Sequence, residues 1–167
     1  MPVGEKKLPG KITGAGAETR NFHFRNCKKV YLVVLYLVIM DEHGHHEELI
    51  ESITKEYQEI LANSEQGIYI YLDDSHKVCN SKFATLLGYG SEEEWAKIDE
   101  PFPGVFVADE SQETLVSSFV DAMEKNVGST NEIVWKKKDG STVDSTVILV
   151  PVSHKGHLFA LHFVTAG

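Results

Sequence analysis

"KVCNSKFATLLGYGSEEEW", residues 77–95 of a 167-residue chain, is the stretch that decides how this sequence folds. A short strand-like segment ends at Asn80, and the apolar residues of the following FATLLG recur at helical spacing. Gly88 comes directly after them, where glycine commonly ends a helix. Ser91 and the glutamates behind it form the pattern of a capping box at the start of another helix. The stretch therefore predicts a strand and two helices, and it contains neither a nucleophile–base pair nor a set of metal ligands.

Two elements are predicted before this stretch. Residues 47–61 carry apolar side chains at spacings of three and four, which predicts one amphipathic helix. Residues 68–72, IYIYL, are rich in branched and aromatic side chains and predict a buried strand. The turn-forming DDSH that follows joins this strand to residues 77–80 as a hairpin.

After the opening stretch, the pattern changes from helix to strand. EPFPG at 100–104 is expected to break the chain, and DESQ at 109–112 is expected to cap the longest helix. Three strand-like segments follow, joined by turns at 139–140 and 153–156. Two strands, several helices and three more strands predict an α+β fold. We expect a five-stranded antiparallel sheet with helices on one face, plus an N-terminal helix.

Charge is distributed unevenly along the chain. The formal net charge is −9, which argues against nucleic-acid binding. Residues 1–29 hold seven basic and two acidic side chains, whereas residues 41–167 hold nine lysines, no arginine and 23 acidic residues. The two parts meet at VYLVVLYLVIM, residues 30–40. A spanning helix needs about 20 residues, so we predict no membrane span.

Three interpretations of this N-terminal segment stay open. A basic stretch before a short apolar run is typical of a signal peptide, but no small-residue cleavage site follows it. The run could also pack on the domain as a strand, or Met40 could be the natural start, with residues 1–39 translated in error. We divide the chain into this segment (1–40), an acidic, histidine-rich linker with an amphipathic helix (41–62), and a main domain (63–167).

In order and spacing, the motifs resemble those of a PAS domain, a small sensory fold of signalling proteins. The resemblance rests on Asn80, LLGY at 86–89, SEE at 91–93 and KDG at 138–140, and it covers about residues 54–165. It implies a sensory or signal-transduction module, without catalysis of its own, that binds a small ligand or a signalling partner protein. The alternative is a dimerisation or protein-interaction domain with a filled core and no ligand.

Two departures from the family pattern concern the ends of the domain. The hairpin at 72–80 is tighter than the usual DxDGxIxxxN. The usual exit motif DIT, which leads into a signalling helix, appears only as FVTAG at 163–167. The connection to an output is therefore expected to be missing or to be made elsewhere.

The resemblance also implies a cavity between sheet and helices. Its predicted lining residues are Tyr69, Asn80, Phe83, Trp95, Phe106, Phe119, Met123, Trp135 and His162. Haem-binding members commonly ligate iron through a histidine on the long helix, and residues 77–153 contain none, so we expect no haem. Covalent flavin binding uses a cysteine within NCRFL, which is absent, so we do not expect it either. The small molecule stays unknown.

Histidine and cysteine residues elsewhere are expected to be structural. HGHHEE at 43–48 has ligands suited to a transition metal, but we favour a solvated segment and predict no metal site. His162 is predicted to be a hydrogen-bonded core residue. Cys27 and Cys79 form no CxxC pair, so we expect neither a structural zinc nor a disulfide scaffold, and a cytoplasmic location. No phosphate loop, GxSxG or HExxH motif occurs, and we predict no enzyme.

The leading helix is expected to mediate assembly. Its apolar stripe consists of Leu49, Ile53, Tyr57 and Ile60. PAS-like modules often pair through this helix, and so regular a stripe suits contact between two chains. We therefore predict a homodimer.

Overall fold

The computed structural model of the chain describes residues 46–167. Within them, helices and strands follow one another in the order α1 (His46–Glu56), α2 (Gln58–Asn63), β1 (Gly67–Tyr71), β2 (Lys77–Cys79), α3 (Ser81–Leu86), α4 (Glu92–Ala96), α5 (Phe102–Phe106), α6 (Asp109–Lys125), β3 (Ser129–Lys136), β4 (Thr142–His154) and β5 (His157–Ala166). The predictions for residues 1–40, including the strand and start-site interpretations, lie outside the described residues.

The five strands form one antiparallel sheet in the order β2-β1-β5-β4-β3. β1 lies between β2 and the C-terminal strand, with Tyr69 opposite Cys79 on one side and His162 on the other. Helices α3 to α6 pack on one face, and α1 packs on the opposite face. The predicted sheet, its helical layer and the additional N-terminal helix are all confirmed.

β1 is buried along its whole length. Because side chains of a strand alternate between faces, Tyr69 and Tyr71 point to the helical layer, while Ile68 and Ile70 point to the opposite face. There the two isoleucines contact the cluster that contains Leu49 and Ile53 of α1. The sheet is therefore apolar on both faces, and each face needs a covering layer.

The leading helix is not continuous. It is divided at Tyr57, whose backbone leaves helical geometry between α1 and α2. Two backbone hydrogen bonds keep the halves in line: Tyr57 donates to Ile53 at 2.9 Å, and Leu61 donates to Tyr57 at 3.0 Å. The predicted single helix is correct in extent and wrong at this one position.

Two boundaries in the middle of the chain also differ from expectation. EPFPG does not simply break the chain, because Phe102–Phe106 form the short helix α5. Proline is tolerated in its first turn, where backbone N–H groups need no helical partner. DESQ supplies no cap to α6, since the N-cap residue is Ala108. Ser111 instead accepts a hydrogen bond from the Val134 amide at 3.0 Å, which attaches α6 to β3.

No helix within residues 46–167 has both the length and the apolar character needed to cross a membrane.

Asn80 connects the first hairpin to α3. Its Oδ1 accepts hydrogen bonds from the amides of Phe83 (3.0 Å) and Ile68 (2.9 Å), and its Nδ2 donates to the Gln66 carbonyl at 2.9 Å. The first of these hydrogen bonds caps the start of α3. The other two join α3 to the start of β1, so this buried side chain satisfies three backbone groups at once.

We predict that Asn80→Ala lowers the free energy of unfolding by about 3 kcal/mol, because it removes a helix cap and leaves two further backbone groups without their partner. Ser91→Ala is the matched control. Ser91 caps α4 through one bond, from the Glu94 amide at 3.2 Å, and its loss should cost about 1 kcal/mol. Urea denaturation measures both variants, and equal losses would contradict the bridging role of Asn80.

Candidate functional site

The space between the sheet and helices α3 to α6 is occupied by aromatic rings packed around Tyr69. The Tyr69 ring stacks on His162 with centroids 3.9 Å apart and planes 7° apart, and it stacks on Phe83 at 4.7 Å. Trp135 meets it edge-on at 5.8 Å. Such offset and edge-on contacts stabilise aromatic clusters beyond simple burial.

The predicted cavity residues fall into three groups. Six are buried side chains between sheet and helices: Tyr69, Phe83, Trp95, Phe106, Trp135 and His162. Phe119 and Met123 are partly buried on α6, where both pack against a small cluster that includes Leu149. Asn80 is also buried, but its side chain is hydrogen-bonded to backbone groups and does not line a cavity. The predicted residues therefore lie in the interior of the domain or at its border.

A cavity of about 30 Å³ remains in this interior. It is bounded by Tyr69, Tyr71, Phe102, Pro103, Leu115, Val116, Phe119 and His162. A cavity needs roughly 10–15 Å³ to hold one water molecule, and pockets for drug-sized ligands measure about 300–1,000 Å³. The residues around this cavity therefore do not fit haem or flavin.

Only three of these wall residues were among the predicted ones, namely Tyr69, Phe119 and His162. Tyr71 could have been found, since it lies two residues from Tyr69 on the same face of β1. Phe102 and Pro103 were missed because EPFPG was interpreted as a chain break.

His162 lies at the wall of this cavity with only 2 % of its surface exposed. Burial lowers the pKa of its imidazole to about 3, because the charged form would lose its hydration. The side chain is therefore neutral at physiological pH. The predicted core position of His162 is correct, and its Nδ1 finds no hydrogen-bond partner among the described residues.

Lys77 closes the hairpin end of the interior. Its ammonium group donates to the backbone carbonyls of Asp74, Ala96 and Ile98, and it lies 5.5 Å from the centre of the Trp95 ring. Burial lowers the pKa of this lysine, although nearby carboxylates oppose the shift. The contacts attach the β1–β2 turn to the end of α4.

A cluster of two histidines and an aspartate joins α1 to the same turn. Asp73 accepts hydrogen bonds from His46 at 2.7 Å and from His76 at 2.8 Å. The expectation that 43–48 is a solvated segment is therefore wrong for His46, which is nearly buried. Histidines 43 and 45 lie outside the described residues. Sequence could not reveal the cluster, because 27 residues separate His46 from Asp73.

A second polar contact joins α1 to the end of β4. His154 lies between two residues of the helix, with Nε2 2.9 Å from Ser52 Oγ and Nδ1 2.5 Å from Glu56. The order serine, histidine, carboxylate is that of a hydrolase triad. However, Ser52 lies in the second turn of α1, where backbone N–H groups are already bonded within the helix and cannot stabilise an oxyanion. We interpret the contact as an attachment of the helix.

Comparison with solved structures identifies this arrangement of sheet, helices and interior. The crystal structure of a PAS domain from Colwellia psychrerythraea superimposes with a TM-score of 0.55 at 22 % identity, over 69 % of this chain and 97 % of the other. The described residues have the PAS fold.

Two further solved structures have the same fold. The PAS domain of an HTR-like protein from Haloarcula marismortui matches with a TM-score of 0.50 at 21 % identity, over 75 % of this chain and all of the other. A PAS domain from a two-component sensor histidine kinase matches at 0.52 and 12 % identity, over 70 % and 98 %. No family model and no curated protein sequence matches the chain. At these identities, the likeness to PAS domains concerns the fold.

We predict that His162 makes this domain sensitive to acid. The folded pKa lies below the unfolded value of about 6.5, so the unfolded chain binds more protons between about pH 6.5 and pH 3. Stability should therefore fall on acidification through this window, by up to about 1.4 kcal/mol per pH unit from this group. Urea denaturation of the wild type and His162→Phe, between about pH 7 and pH 4, measures the effect.

The variant should show a shallower decline, because phenylalanine cannot take up a proton. Burial acts to raise the pKa of the Asp73 carboxyl, but its hydrogen bonds to the two histidines lower the pKa overall. The contribution of Asp73 to the free energy of unfolding is therefore lost only at lower pH, and it is lost in both proteins. Parallel curves for the two proteins would show that His162 is not the acid-sensitive group.

Proposed function

We propose that this chain is a signal-transduction PAS module that acts through contacts with protein, with an interior filled by its own side chains. One observation carries the proposal: a cavity of about 30 Å³ lies where a ligand-binding PAS domain would need at least about ten times that space. Of the two functions that the sequence left open, this favours the interaction domain.

A role without catalysis is supported by the chemistry of the described residues. Burial raises the pKa of the Cys79 thiol, so this cysteine is not a thiolate nucleophile. The serine that contacts His154 lies within a helix that offers it no free amide. The similar solved structures include a PAS domain of a sensor histidine kinase, which is a signalling protein.

The partner that we propose is a second copy of the chain, as the sequence predicted, but with a changed set of contact residues. Leu49 and Ile53 are used within the chain, because they cover the outer face of its own sheet. Tyr57 is half-buried in the same cluster. Ile60 remains 43 % exposed and is the member of the stripe best placed to contact another molecule.

The outer face of the sheet extends this surface. Ile148 on β4 pairs with Phe163 on β5, and Phe163 packs against the cluster beneath α1. The Ile148 side chain therefore lies on the outer face, and it is 41 % exposed. We name Ile60 and Ile148 the outer apolar positions. These two exposed isoleucines are the positions that we propose for the contact with the second copy.

We predict that the wild type is a dimer at tens of micromolar, and that Ile60→Glu and Ile148→Glu are folded monomers. A carboxylate at either outer apolar position would be buried without a partner in the interface, while in the monomer it stays in water. Equilibrium sedimentation measures the mass of each protein.

Val127→Glu is the matched control. Val127 is 47 % exposed but lies after α6, away from the outer face, so this variant should remain dimeric. A monomeric wild type would overturn the dimer, and a monomeric Val127→Glu would place the interface elsewhere.

A further inference from the structure

The two histidines and the aspartate that join α1 to the first hairpin have the donor set of a metal site. One ligand atom from each of His46, Asp73 and His76 lies within 4.8 Å of the other two. His76 Nδ1 approaches both carboxylate oxygens, at 2.8 and 2.9 Å, and His46 Nδ1 approaches one at 2.7 Å. The imidazole rings are edge to face, with centroids 5.5 Å apart. Both rings therefore present the same nitrogen to one carboxylate.

The carboxylate at the centre is fixed in place by the backbone. Asp73 Oδ1 accepts the amides of Ser75 at 2.9 Å and His76 at 2.8 Å, and only 7 % of its side chain is exposed. The neighbouring Asp74 points elsewhere, to the Tyr71 hydroxyl and the Phe102 amide. Backbone amides that orient a carboxylate are the usual second layer of a metal site.

We propose that His46, Asp73 and His76 bind one divalent transition-metal ion of the zinc class. Two imidazoles and a carboxylate favour such an ion over magnesium or calcium, which prefer oxygen ligands alone. The ion would take the place of the two Nδ1 protons that now link the histidines to Asp73, and each metal-bound ring, being neutral, would carry its single proton on Nε2. With bonds of about 2.0–2.2 Å, tetrahedral ligands lie about 3.3 Å apart, so the separations from Asp73 need to widen by roughly half an ångström.

Three protein ligands leave one position of a tetrahedral ion open to water or another ligand. The site would also connect two elements that move separately when the protein unfolds, the first turn of α1 and the β1–β2 turn. A bound ion would therefore fix the leading helix to the sheet, which gives a metal-dependent control over the surface that α1 and α2 help to form.

The test uses the full-length, untagged chain and titrates it with Co²⁺, whose visible absorption reports coordination, followed by competition with Zn²⁺. We expect one ion per chain. His46→Gln and His76→Gln should each weaken binding by about 100-fold or more, as loss of a ligand costs at least as much as loss of a second-layer partner. Glutamine can still donate a hydrogen bond to Asp73, so both variants should stay folded, as circular dichroism verifies.

Two control variants distinguish Co²⁺ binding at this site from nonspecific binding by other histidines. His157→Gln lies at the start of β5, and the double variant His43→Gln/His45→Gln changes the histidines that precede His46 in sequence. Both should bind Co²⁺ with the wild-type affinity. No saturable binding by the wild type, or an affinity that follows His43 and His45 and ignores His76, would overturn the proposal.

Discussion

Tyr69 and Ile70 are neighbours on β1, yet they belong to apolar clusters on opposite faces of the sheet. A strand buried on both faces needs a layer on each side, and this requirement explains most of the architecture. Helices α3 to α6 cover the face of Tyr69, and α1 covers that of Ile70. Exposing Ile68 and Ile70 by removing α1 would cost about 3–6 kcal/mol. The leading helix is thus part of the fold as well as a candidate surface for assembly.

Polar contacts fix the position of α1 on this apolar surface. A hydrophobic stripe alone allows a helix to slide or rotate over a sheet, whereas hydrogen bonds fix one position. The α1 helix has two such contacts, one at Asp73 near its first residue and one at His154 near its last turn. Each uses a histidine of the chain, His46 at one end and His154 at the other. The α1 helix is therefore held in one position on the sheet at both ends and, in our proposal, also by a metal ion at the first of them.

Much of the fold was predictable because local pattern and tertiary structure agree. Alternation along β3 to β5, the Asp139–Gly140 turn and the cap at Asn80 each depend on residues close in sequence. The failures arose where a distant contact decides the structure. The sequence DESQ has the pattern of a helix cap, but Ser111 instead accepts a hydrogen bond from β3. His46 was expected to be solvated, but it is hydrogen-bonded to Asp73 in a turn 27 residues away.

The size of the cavity was even harder to predict from the sequence. Aromatic residues at core spacing predicted the interior correctly, but spacing cannot tell whether rings surround a ligand or fill the space themselves. That depends on how Tyr69, His162 and Phe83 stack, at centroid distances of 3.9 and 4.7 Å, which only the three-dimensional arrangement gives.

The filled interior is tested most directly by what the protein carries when it is purified from cells. Untagged protein is denatured, and the extract is analysed by absorption and mass spectrometry. Trp135→Ala, which opens a space in the cluster, is incubated with indole as a positive control for detection. The account predicts no stoichiometric ligand beyond a few heavy atoms in the wild type. One haem, flavin or metabolite of drug size per chain would contradict it.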